Sequence, residues 1–319
     1  MEMRVKPILG TMNFGPQVGI EDSLKMVELY VSMGYEEFDT AYVYNNGDSE
    51  KFLGNALKQL KIKNRIVATK VNPRITGKLD RDSIQSQFFV SLERLGIEKV
   101  DILYLHFPDP ETPIHDTFAA CAELYQKGYI NELGLSNYPA WQVVDICHLC
   151  KNQGWLTPSI YQGLYNGLSR NVEPELIPAL RELGIRFYTY NPLAGGILAG
   201  KYNDIDNITP GRFTHRPNYK DRYWKKEFFE SLKVLNEACE LNGISVIEAA
   251  FRWLTNHSDH DITAGDGVLI GASSIKQLEQ NLKYFNKGKL QNEVLDAFDY
   301  AWEISKSESP AYFRTVSQK

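Results

Sequence analysis

The chain has 319 residues, of which 43% are hydrophobic and 24% charged, as in ordinary soluble globular proteins. Its 35 Lys and Arg residues against 40 Asp and Glu residues give a formal net charge of −5, which argues against a general nucleic-acid binder. No apolar run approaches the roughly 20 residues of a membrane helix, and Arg4 and Lys6 interrupt the N-terminal segment. We therefore expect no signal peptide, no membrane contact and a cytoplasmic location.

The four cysteines are too few for a disulfide scaffold and fit a reduced intracellular protein. Cys147 and Cys150 have the spacing of a metal or redox pair, with His148 between them. However, their run has apolar residues at helical spacing, and no second ligand pair follows. We therefore expect buried thiols in a helix and no metal site.

Short apolar runs rich in β-forming residues alternate with longer helical patterns, which is typical of βαβ units and a parallel sheet. In chain order, the predicted strands are 8–9, 37–39, 66–70, 100–106, 132–137, 159–162, 185–190 and 267–270. The predicted helices are 23–33, 49–60, 81–95, 114–127, 141–152, 174–183 and 275–285, with two more before the last strand.

Such alternation suits either an open doubly wound sheet or a closed barrel. No GxGxxG motif follows the first strand, so the usual signature of the dinucleotide-binding open sheet is missing. Eight strand-helix units with short connections favour a (β/α)8 TIM barrel, in the α/β class, as a single domain over residues 1–319. Residues 191–223 and the tail after 305 lack a regular pattern, and long loops in compact domains often act as lids.

Polar residues follow the predicted strands at the end where barrel enzymes carry their active sites. They are Asp39, Lys70, His106, Ser136, Asn137, Gln162, Tyr190 and Asn191, with Tyr44 in the second loop. Taken singly, each of these side chains could have a purely structural role: it could pack in the core, cap a helix or be solvated. Unpaired charges at a barrel mouth are costly, however, and an Asp39–Lys70 ion pair would remove that cost. Nearby positive charge would also make the Tyr44 phenol more acidic.

The motifs around these residues resemble those of the aldo-keto reductases. They are residues 38–44 with Gly54, Lys70 in VATK, His106 in LYLHFPD, Ser136 and Asn137 in LGLSN, and Gln162 in YQ. More narrowly, residues 10–12, NPLAGG, RYW, GASS and the late YFR resemble the aflatoxin-aldehyde and succinic-semialdehyde reductase branch. The likeness extends from Gly10 to Arg314.

This resemblance implies NADPH-dependent reduction of aldehydes, including dialdehydes and carboxylated aldehydes, and of some ketones. Tyr44 would be the general acid that protonates the carbonyl oxygen, and Lys70 would lower its pKa. Asp39 would hold Lys70, and His106 would orient the carbonyl. Hydride would come from the nicotinamide, so the resemblance implies no metal.

The resemblance also implies a cofactor site. Its residues would be Met12, Asp39, Ser136, Asn137, Gln162, Tyr190, Asn191, Leu193, Gly195, Lys201, Arg212, Gly271, Ser273, Gln277 and Asn281. Ser136, Asn137 and Gln162 would bind the carboxamide, and Tyr190 would stack on the ring. Backbone N–H groups of residues 191–196 would bind the pyrophosphate.

The 2′-phosphate of NADPH would lie near Ser273 and Ser274 at a helix N-terminus, with charge from Lys201 and Arg212. Ala272 and Gln277 stand where better-known members of the family carry Lys and Arg. The similar branch shares this departure and uses NADPH.

The substrate would contact Met12, Tyr44, His106, Arg222, Trp224 and Arg314, with Phe313 as a further apolar wall. From the residues alone, Arg222 is a surface charge and Arg314 a tail residue. The resemblance instead favours forked binding of a substrate carboxylate by both guanidinium groups. The chain continues past Arg314, and a tail that displaced this arginine would reduce selectivity for carboxylates.

Two other functions stay open. A cofactor-sensing regulatory subunit of the same fold would bind NADPH with little turnover. A barrel hydrolase or aldolase would use Lys70 as a Schiff base without nicotinamide. The resemblance also implies a homodimer, although no self-complementary patch is readable in the sequence.

Overall fold

The computed structural model describes residues 5–202, 204–207 and 211–314, without the side chains of Arg212 and His215. Its eight strands are β1 Lys6–Gly10, β2 Glu37–Asp39, β3 Ile66–Val71, β4 Val100–Leu105, β5 Ile130–Ser136, β6 Ile160–Leu164, β7 Arg186–Tyr190 and β8 Gly267–Ile270. Each strand pairs in parallel with the next, and β8 pairs with β1, so the sheet closes. The predicted (β/α)8 barrel is confirmed.

Helices surround the barrel. They are α1 Ile20–Ser32, α2 Asp48–Gln59, α3 Pro73–Thr76, α4 Arg81–Leu95, α5 Ile114–Gln126, α6 Ala140–Gln153, α7 Leu176–Leu183, α8 Arg212–His215, α9 Pro217–Tyr223, α10 Lys226–Leu241, α11 Val246–Asn256, α12 Ile275–Phe285 and α13 Asn292–Ser305. Local sequence sets their limits. The Asp80 side chain, for example, accepts a hydrogen bond from the Ser83 N–H at the start of α4, and Gly96 ends the helix in the left-handed conformation.

Two stretches differ from the predicted pattern. The segment 191–223 is less irregular than expected, because it contains a 3-10 helix, Ala194–Ala199, and the short helices α8 and α9. The chain also forms α13, to which the sequence pattern assigned no element. This helix buries Val294, Phe298 and Ala301 and packs on α10. Its apolar stripe therefore belongs to a helix pair outside the strand-helix alternation.

Apolar side chains fill the barrel interior directly below the polar site. Side chains at alternate strand positions point to the same side of a sheet. Ala68 and Ile102 lie in a buried cluster inside the barrel, and Lys70 and Tyr104 each follow two residues later on the same strands. The register pairs Lys70 with Tyr104. The charged layer of the site thus lies one step above the apolar filling of the barrel.

The cysteines are buried free thiols. Cys147 and Cys150 lie in α6, and burial raises their pKa values to about 11 and about 12. Both thiols are therefore protonated near neutral pH, which makes them poor nucleophiles. Among the residues described, no group of His, Cys, Asp and Glu has the arrangement of a metal site. Within the same residues, no helix combines the length and apolarity that crossing a membrane requires.

Candidate active site

A cavity of about 860 Å³ opens at the carboxyl ends of the strands. Most residues predicted for the site line it. They are Met12, Asp39, Tyr44, His106, Ser136, Asn137, Gln162, Tyr190, Asn191, Leu193, Gly195, Lys201, Arg222, Gly271, Ser273, Gln277, Asn281 and Arg314. The closed barrel explains this convergence, because all eight strands end around one mouth.

A buried ion pair forms the floor of the cavity. The Lys70 ammonium, whose side chain has no exposed surface, contacts an Asp39 carboxylate oxygen and donates to the Thr40 carbonyl oxygen at 2.6 Å. The other Asp39 oxygen accepts from Gln162 Nε2 at 2.8 Å. Buried charges need this degree of pairing, because an isolated one would lose its hydration without compensation. The ion pair predicted from the sequence is present.

Burial and ion pairing shift the pKa values of Asp39 and Lys70 in opposite directions. Burial raises the pKa of Asp39, and the positive charge of Lys70 opposes that shift. Burial lowers the pKa of Lys70, and the Asp39 carboxylate opposes it in turn. Each charge is therefore retained only because the other is present. Removal of either partner would leave the survivor strongly biased towards its neutral form.

Tyr44 lies directly above the pair. Lys70 Nζ is 5.2 Å from the centroid of the Tyr44 ring. The Tyr44 and His106 rings meet edge to face, with centroids 5.8 Å apart. Burial raises the pKa of Tyr44 well above its usual value, the Asp39 charge raises it further, and Arg216 lowers it. The net direction is opposite to the lowering expected from Lys70, because desolvation by burial is the largest cause.

Backbone and side-chain contacts fix the turn that carries Tyr44. Asn45, at φ +50°, donates through Nδ2 to the carbonyl oxygens of Met12 and Phe14 at 2.8 and 2.7 Å. Arg94 donates to the Tyr42 carbonyl oxygen at 3.0 Å. Gly47, at φ +91°, closes the turn where an added Cβ would lie 2.5 Å from Arg94 Cζ. Only glycine combines this backbone angle with that close approach.

His106 faces Tyr44 as a neutral imidazole. Burial lowers its pKa well below the usual value, and the charges of Lys70 and Arg74 lower it further. Its Nδ1 lies 3.4 Å from the Asn72 side-chain nitrogen. The ring stacks on Phe107, with centroids 4.8 Å apart and planes at 17°. A neutral imidazole held in this way can share a hydrogen bond with a bound carbonyl group.

Asn137 ties several strand ends together. Its side-chain nitrogen donates to the His106 carbonyl oxygen and to Ser136 Oγ, both at 2.9 Å. Its side-chain oxygen accepts from the Tyr190 hydroxyl at 2.7 Å. The Asn137 amide is thus engaged within the protein. Ser136, Gln162 and Tyr190, which line the cavity with it, offer hydroxyl and amide groups suited to a carboxamide.

The part of the cavity beside Asn191 suits a phosphate-bearing ligand. Asn191 Nδ2 is buried next to the Tyr223 side chain, and Gly195 and Gly196 adopt φ +68° and +120°. A buried amide donor among glycine-shaped backbone is the type of group that a pyrophosphate can contact. Lys201 adds an exposed ammonium to the same lining. The donor set therefore fits a dinucleotide.

The start of α12 lies in this half of the cavity. Ser273 donates from its backbone N–H and hydroxyl to Gln277 Oε1 at 3.1 and 2.8 Å. Ser274, in contrast, does not line the cavity. Its hydroxyl oxygen instead caps α12 by accepting from the Gln277 N–H at 3.3 Å. Ser273 and Gln277 thus face the cavity as a bonded pair.

Two predicted wall residues lie elsewhere. Trp224 does not line the cavity, because its indole nitrogen donates to the Ile205 carbonyl oxygen at 2.9 Å and its ring packs on Tyr202. Phe313 packs on Tyr312, is 36% exposed, and is also absent from the lining. The structure therefore places neither of these predicted wall residues on the cavity lining. The predicted cofactor contact of Arg212 and the tail beyond Arg314 lie outside the described part of the chain.

Several lining residues escaped the sequence analysis. Arg74 and Asn72 follow β3 within four residues of Lys70 and line the same cavity. The strand-end argument that found Lys70 applies to them as well. Arg216 donates to Asn45 Oδ1 at 3.2 Å, and Tyr219 also lines the cavity. Arg216 directly precedes the short helix α9 and Tyr219 lies in it, in a segment where no periodic sequence pattern indicates which side chains turn inwards.

Comparison with known proteins agrees with this geometry. Residues 7–303 match the family model described as "Aldo/keto reductase family". "Aflatoxin B1 aldehyde reductase member 2" of Mus musculus is 44% identical over 98% of this chain and 88% of its own length. "Aflatoxin B1 aldehyde reductase member 4" of Homo sapiens is 43% identical over 97% of this chain and 98% of its own. An aldo-keto reductase of Pseudocercospora fijiensis is 38% identical over 90% of this chain and all of its own length.

Proposed function

Since the chain belongs to the aldo/keto reductase family, we propose that it reduces aldehydes to alcohols with NADPH as the hydride donor. The observation that carries this proposal is the fully buried Asp39–Lys70 pair beneath Tyr44, with neutral His106 beside it. These groups supply a proton donor, a positive charge and an orienting imidazole at one point of the cavity.

In the proposed reaction, bound NADPH supplies the hydride that the carbonyl carbon receives. Tyr44 gives its hydroxyl proton to the carbonyl oxygen. Lys70, 5.2 Å from the Tyr44 ring centroid, stabilises the phenolate that forms, relative to the same pocket without an ammonium. The neutral His106 ring donates to the carbonyl oxygen and fixes its position, and Asp39 keeps Lys70 charged and in place.

The cofactor would occupy the length of the cavity. Ser136, Asn137 and Gln162 would contact the carboxamide, with Gln162 using its oxygen because Asp39 engages its nitrogen. Tyr190 would lie against the ring. The Asn191 side chain and the glycine backbone near it would hold the pyrophosphate.

The adenosine end would rest on α12. Ser273, Gln277 and Asn281 line that part of the cavity and supply polar groups for the adenosine. Lys201 would pair with the 2′-phosphate and thereby favour NADPH over NADH. Leu193, Gly195 and Gly271 would complete the lining, with Met12 at the border between cofactor and substrate.

The substrate would be an aldehyde that carries a carboxylate. The Arg314 backbone N–H donates to the Asn137 carbonyl oxygen at 2.9 Å, which anchors this segment beside the cavity. Arg314 Nη2 is buried and has no hydrogen-bond partner within the described residues. A buried guanidinium nitrogen without an acceptor is costly, and a substrate carboxylate would satisfy it. Arg222 lines the same space.

The alternative chemistry through Lys70 has little support. A Schiff base needs a lysine amine that a carbonyl carbon can reach. Lys70 has no exposed surface, does not line the cavity, and directs its ammonium at Asp39 and Thr40. A substrate carbonyl in the cavity would meet Tyr44 and His106 instead.

The test is NADPH oxidation at 340 nm with 4-nitrobenzaldehyde, for wild type and Tyr44→Phe, with NADH in parallel. Loss of the proton donor should lower kcat by about 10²- to 10⁴-fold, and NADPH binding, followed by fluorescence, should persist. Tight NADPH binding by wild type without turnover of any aldehyde would favour the cofactor-sensing function. Equal kcat values for wild type and Tyr44→Phe would show that Tyr44 is not the proton donor.

A further inference from the structure

The segment 216–223, which contains α9, connects two parts of the candidate active site. On one side it packs against the backbone at Gly195, where an added Cβ would lie 2.9 Å from Tyr219 Cδ1 and 2.7 Å from Tyr223 Cδ2. The Tyr219 hydroxyl also donates to Asn191 Oδ1 at 3.4 Å. Asn191 and Gly195 are the residues proposed to hold the pyrophosphate, so α9 lies against the cofactor half of the cavity.

On the other side, Arg216 reaches the turn that carries the proton donor. Arg216 Nη2 donates to Asn45 Oδ1 at 3.2 Å, and Asn45 directly follows Tyr44 in the chain. Arg216 and Tyr44 line the same cavity. Burial raises the pKa of the Tyr44 phenol, and the Arg216 charge opposes that shift. A hydrogen bond thus joins α9 to the turn on which Tyr44 lies.

Asn45 presents its acceptor oxygen in a fixed direction. Its side-chain nitrogen donates to the carbonyl oxygens of Met12 and Phe14. An amide nitrogen has two hydrogens, so both are used, and the planar amide cannot turn without breaking one of these bonds. The oxygen of the same amide therefore keeps its position whether or not Arg216 is bonded to it.

Arg216 moves together with α9. Its carbonyl oxygen accepts from the Tyr219 N–H at 2.9 Å, and Pro217 begins the helix directly after it. Proline fixes its own φ angle and restricts the residue before it, so the start of α9 is stiff. A displacement of α9 from the cofactor half of the cavity would therefore also pull Arg216 away from Asn45.

We infer that Arg216 is a positioning residue that anchors the segment 216–223 to the Tyr44 turn, so that closure over the cofactor and placement of the proton donor are coupled. This inference rests on the proposed reductase function. While Arg216 is bonded to Asn45, α9 retains the cofactor and Tyr44 keeps its place above Lys70. Without that bond, the cofactor should dissociate faster and the phenol should be placed less accurately.

The first test is the rate of NADPH dissociation, followed by stopped-flow fluorescence without any aldehyde. The matched control is Lys220→Ala, because Lys220 is an exposed cation of the same helix that does not line the cavity. Arg216→Ala should raise the dissociation rate about tenfold, because a charge-assisted hydrogen bond is lost. Arg216→Lys, which keeps a charged donor, should recover part of that loss, and Lys220→Ala should match wild type. An unchanged rate in Arg216→Ala would overturn the inference.

A double variant tests whether Arg216 acts through Asn45. Asn45→Gly removes the acceptor and supplies a residue that tolerates the left-handed backbone at this position, φ +50°. In that background Arg216→Ala should add little to the dissociation rate, because the bond is already absent. Equal factors in both backgrounds would mean that Arg216 attracts the cofactor directly, and the anchoring role would be wrong.

Single-turnover reduction of 4-nitrobenzaldehyde at saturating NADPH measures the placement of Tyr44. Arg216→Ala should lower this rate about tenfold, because proton transfer is sensitive to small displacements of the donor. This aldehyde has no carboxylate, so the loss does not come from weaker attraction of a substrate anion. A loss seen only with 4-carboxybenzaldehyde would mean that Arg216 serves the substrate and not the turn.

The dissociation measurement separates this inference from the reductase proposal, because it needs no turnover. If no aldehyde is reduced but the effect of Arg216→Ala disappears in the Asn45→Gly background, the anchoring role stands and the reductase function fails. If aldehydes are reduced but the two changes act independently, the anchoring role fails alone.

Discussion

The floor and the mouth of the cavity are built on different parts of the chain. On the floor, Asp39 and Lys70 come from adjacent strands β2 and β3, are buried, and satisfy each other. At the mouth, Arg74 and Arg222 come from short helices outside the strand-helix alternation and rest on aromatic rings. Strands of a closed barrel cannot shift singly, whereas loop segments can. The floor is thus suited to one fixed chemistry, and the mouth to selecting among substrates.

The largest effect is expected on the floor, from Lys70→Met. The change leaves the Asp39 carboxyl buried without its partner, so that it either stays charged and unpaired or takes up a proton, which should cost about 3–5 kcal/mol of unfolding free energy. It should also lower kcat for neutral and charged aldehydes alike by about 10²- to 10⁴-fold. Urea unfolding and steady-state kinetics measure the two losses.

The double variant Asp39→Asn with Lys70→Met is its control. It should regain most of the lost stability, because no unpaired charge is left, but none of the activity. If Lys70→Met lowered kcat only for carboxylated substrates, the floor would act in substrate selection. That result would contradict the division between floor and mouth.

The next effect concerns Glu37, two residues before Asp39 on β2. This carboxyl is buried, accepts from the Tyr188 hydroxyl at 3.3 Å, and lacks a salt bridge within the described residues. Burial raises its pKa to about 7, against an ordinary value of 4.5. The folded state therefore binds this proton more tightly than the unfolded state. Its contribution is complete below about pH 4.5 and is lost as pH rises through about 7.

A shift of that size corresponds to roughly 3 kcal/mol of unfolding free energy across the window. Glu37→Gln, which keeps the neutral shape, should flatten the stability profile between pH 4.5 and 7. Urea titrations at several pH values test this. An unchanged slope in the variant would mean that Glu37 is ionised in the folded protein.

The smallest effect belongs to the mouth, from Arg314→Ala. The variant lacks the buried Nη2, which has no hydrogen-bond partner among the residues that the structure describes, and with it the proposed carboxylate contact. KM for 4-carboxybenzaldehyde should therefore rise about tenfold more than KM for 4-nitrobenzaldehyde. Phe313→Ala is a matched control, because its side chain does not line the cavity. If both variants change the ratio equally, the segment acts through its packing and not through the guanidinium.

The difference between the floor and the mouth of the cavity also explains which site residues could be predicted from the sequence. Asp39, Lys70, His106 and Gln162 lie at or near strand ends, so strand periodicity and barrel closure together predicted that they meet at one mouth of the barrel. Trp224 was misplaced because nothing in its run shows that the indole turns towards Ile205. Arg216 was missed for the same reason. The positions of loop side chains depend on tertiary contacts, and these contacts produce no periodic pattern in the sequence.

The role of Tyr44 shows a further limit. Its neighbours Lys70 and Asp39 were found correctly, but the net direction of its pKa shift was not. That direction depends on how strongly burial acts relative to the nearby charges. A sequence indicates which charges meet, but not how much water they lose.

The backbone hydrogen bond from Arg314 to Asn137 has a consequence for how such a protein can diversify. The arginine proposed to select the substrate lies beyond the last helix, more than 40 residues after β8. Besides this bond, the Tyr312 hydroxyl accepts from the Ala140 N–H and donates to Glu175, which also holds the segment in place. On the proposed function, exchange of that terminal segment would change the substrate preference while every barrel strand stayed as it is. Substrate selection and turnover would then depend on separate stretches of the polypeptide.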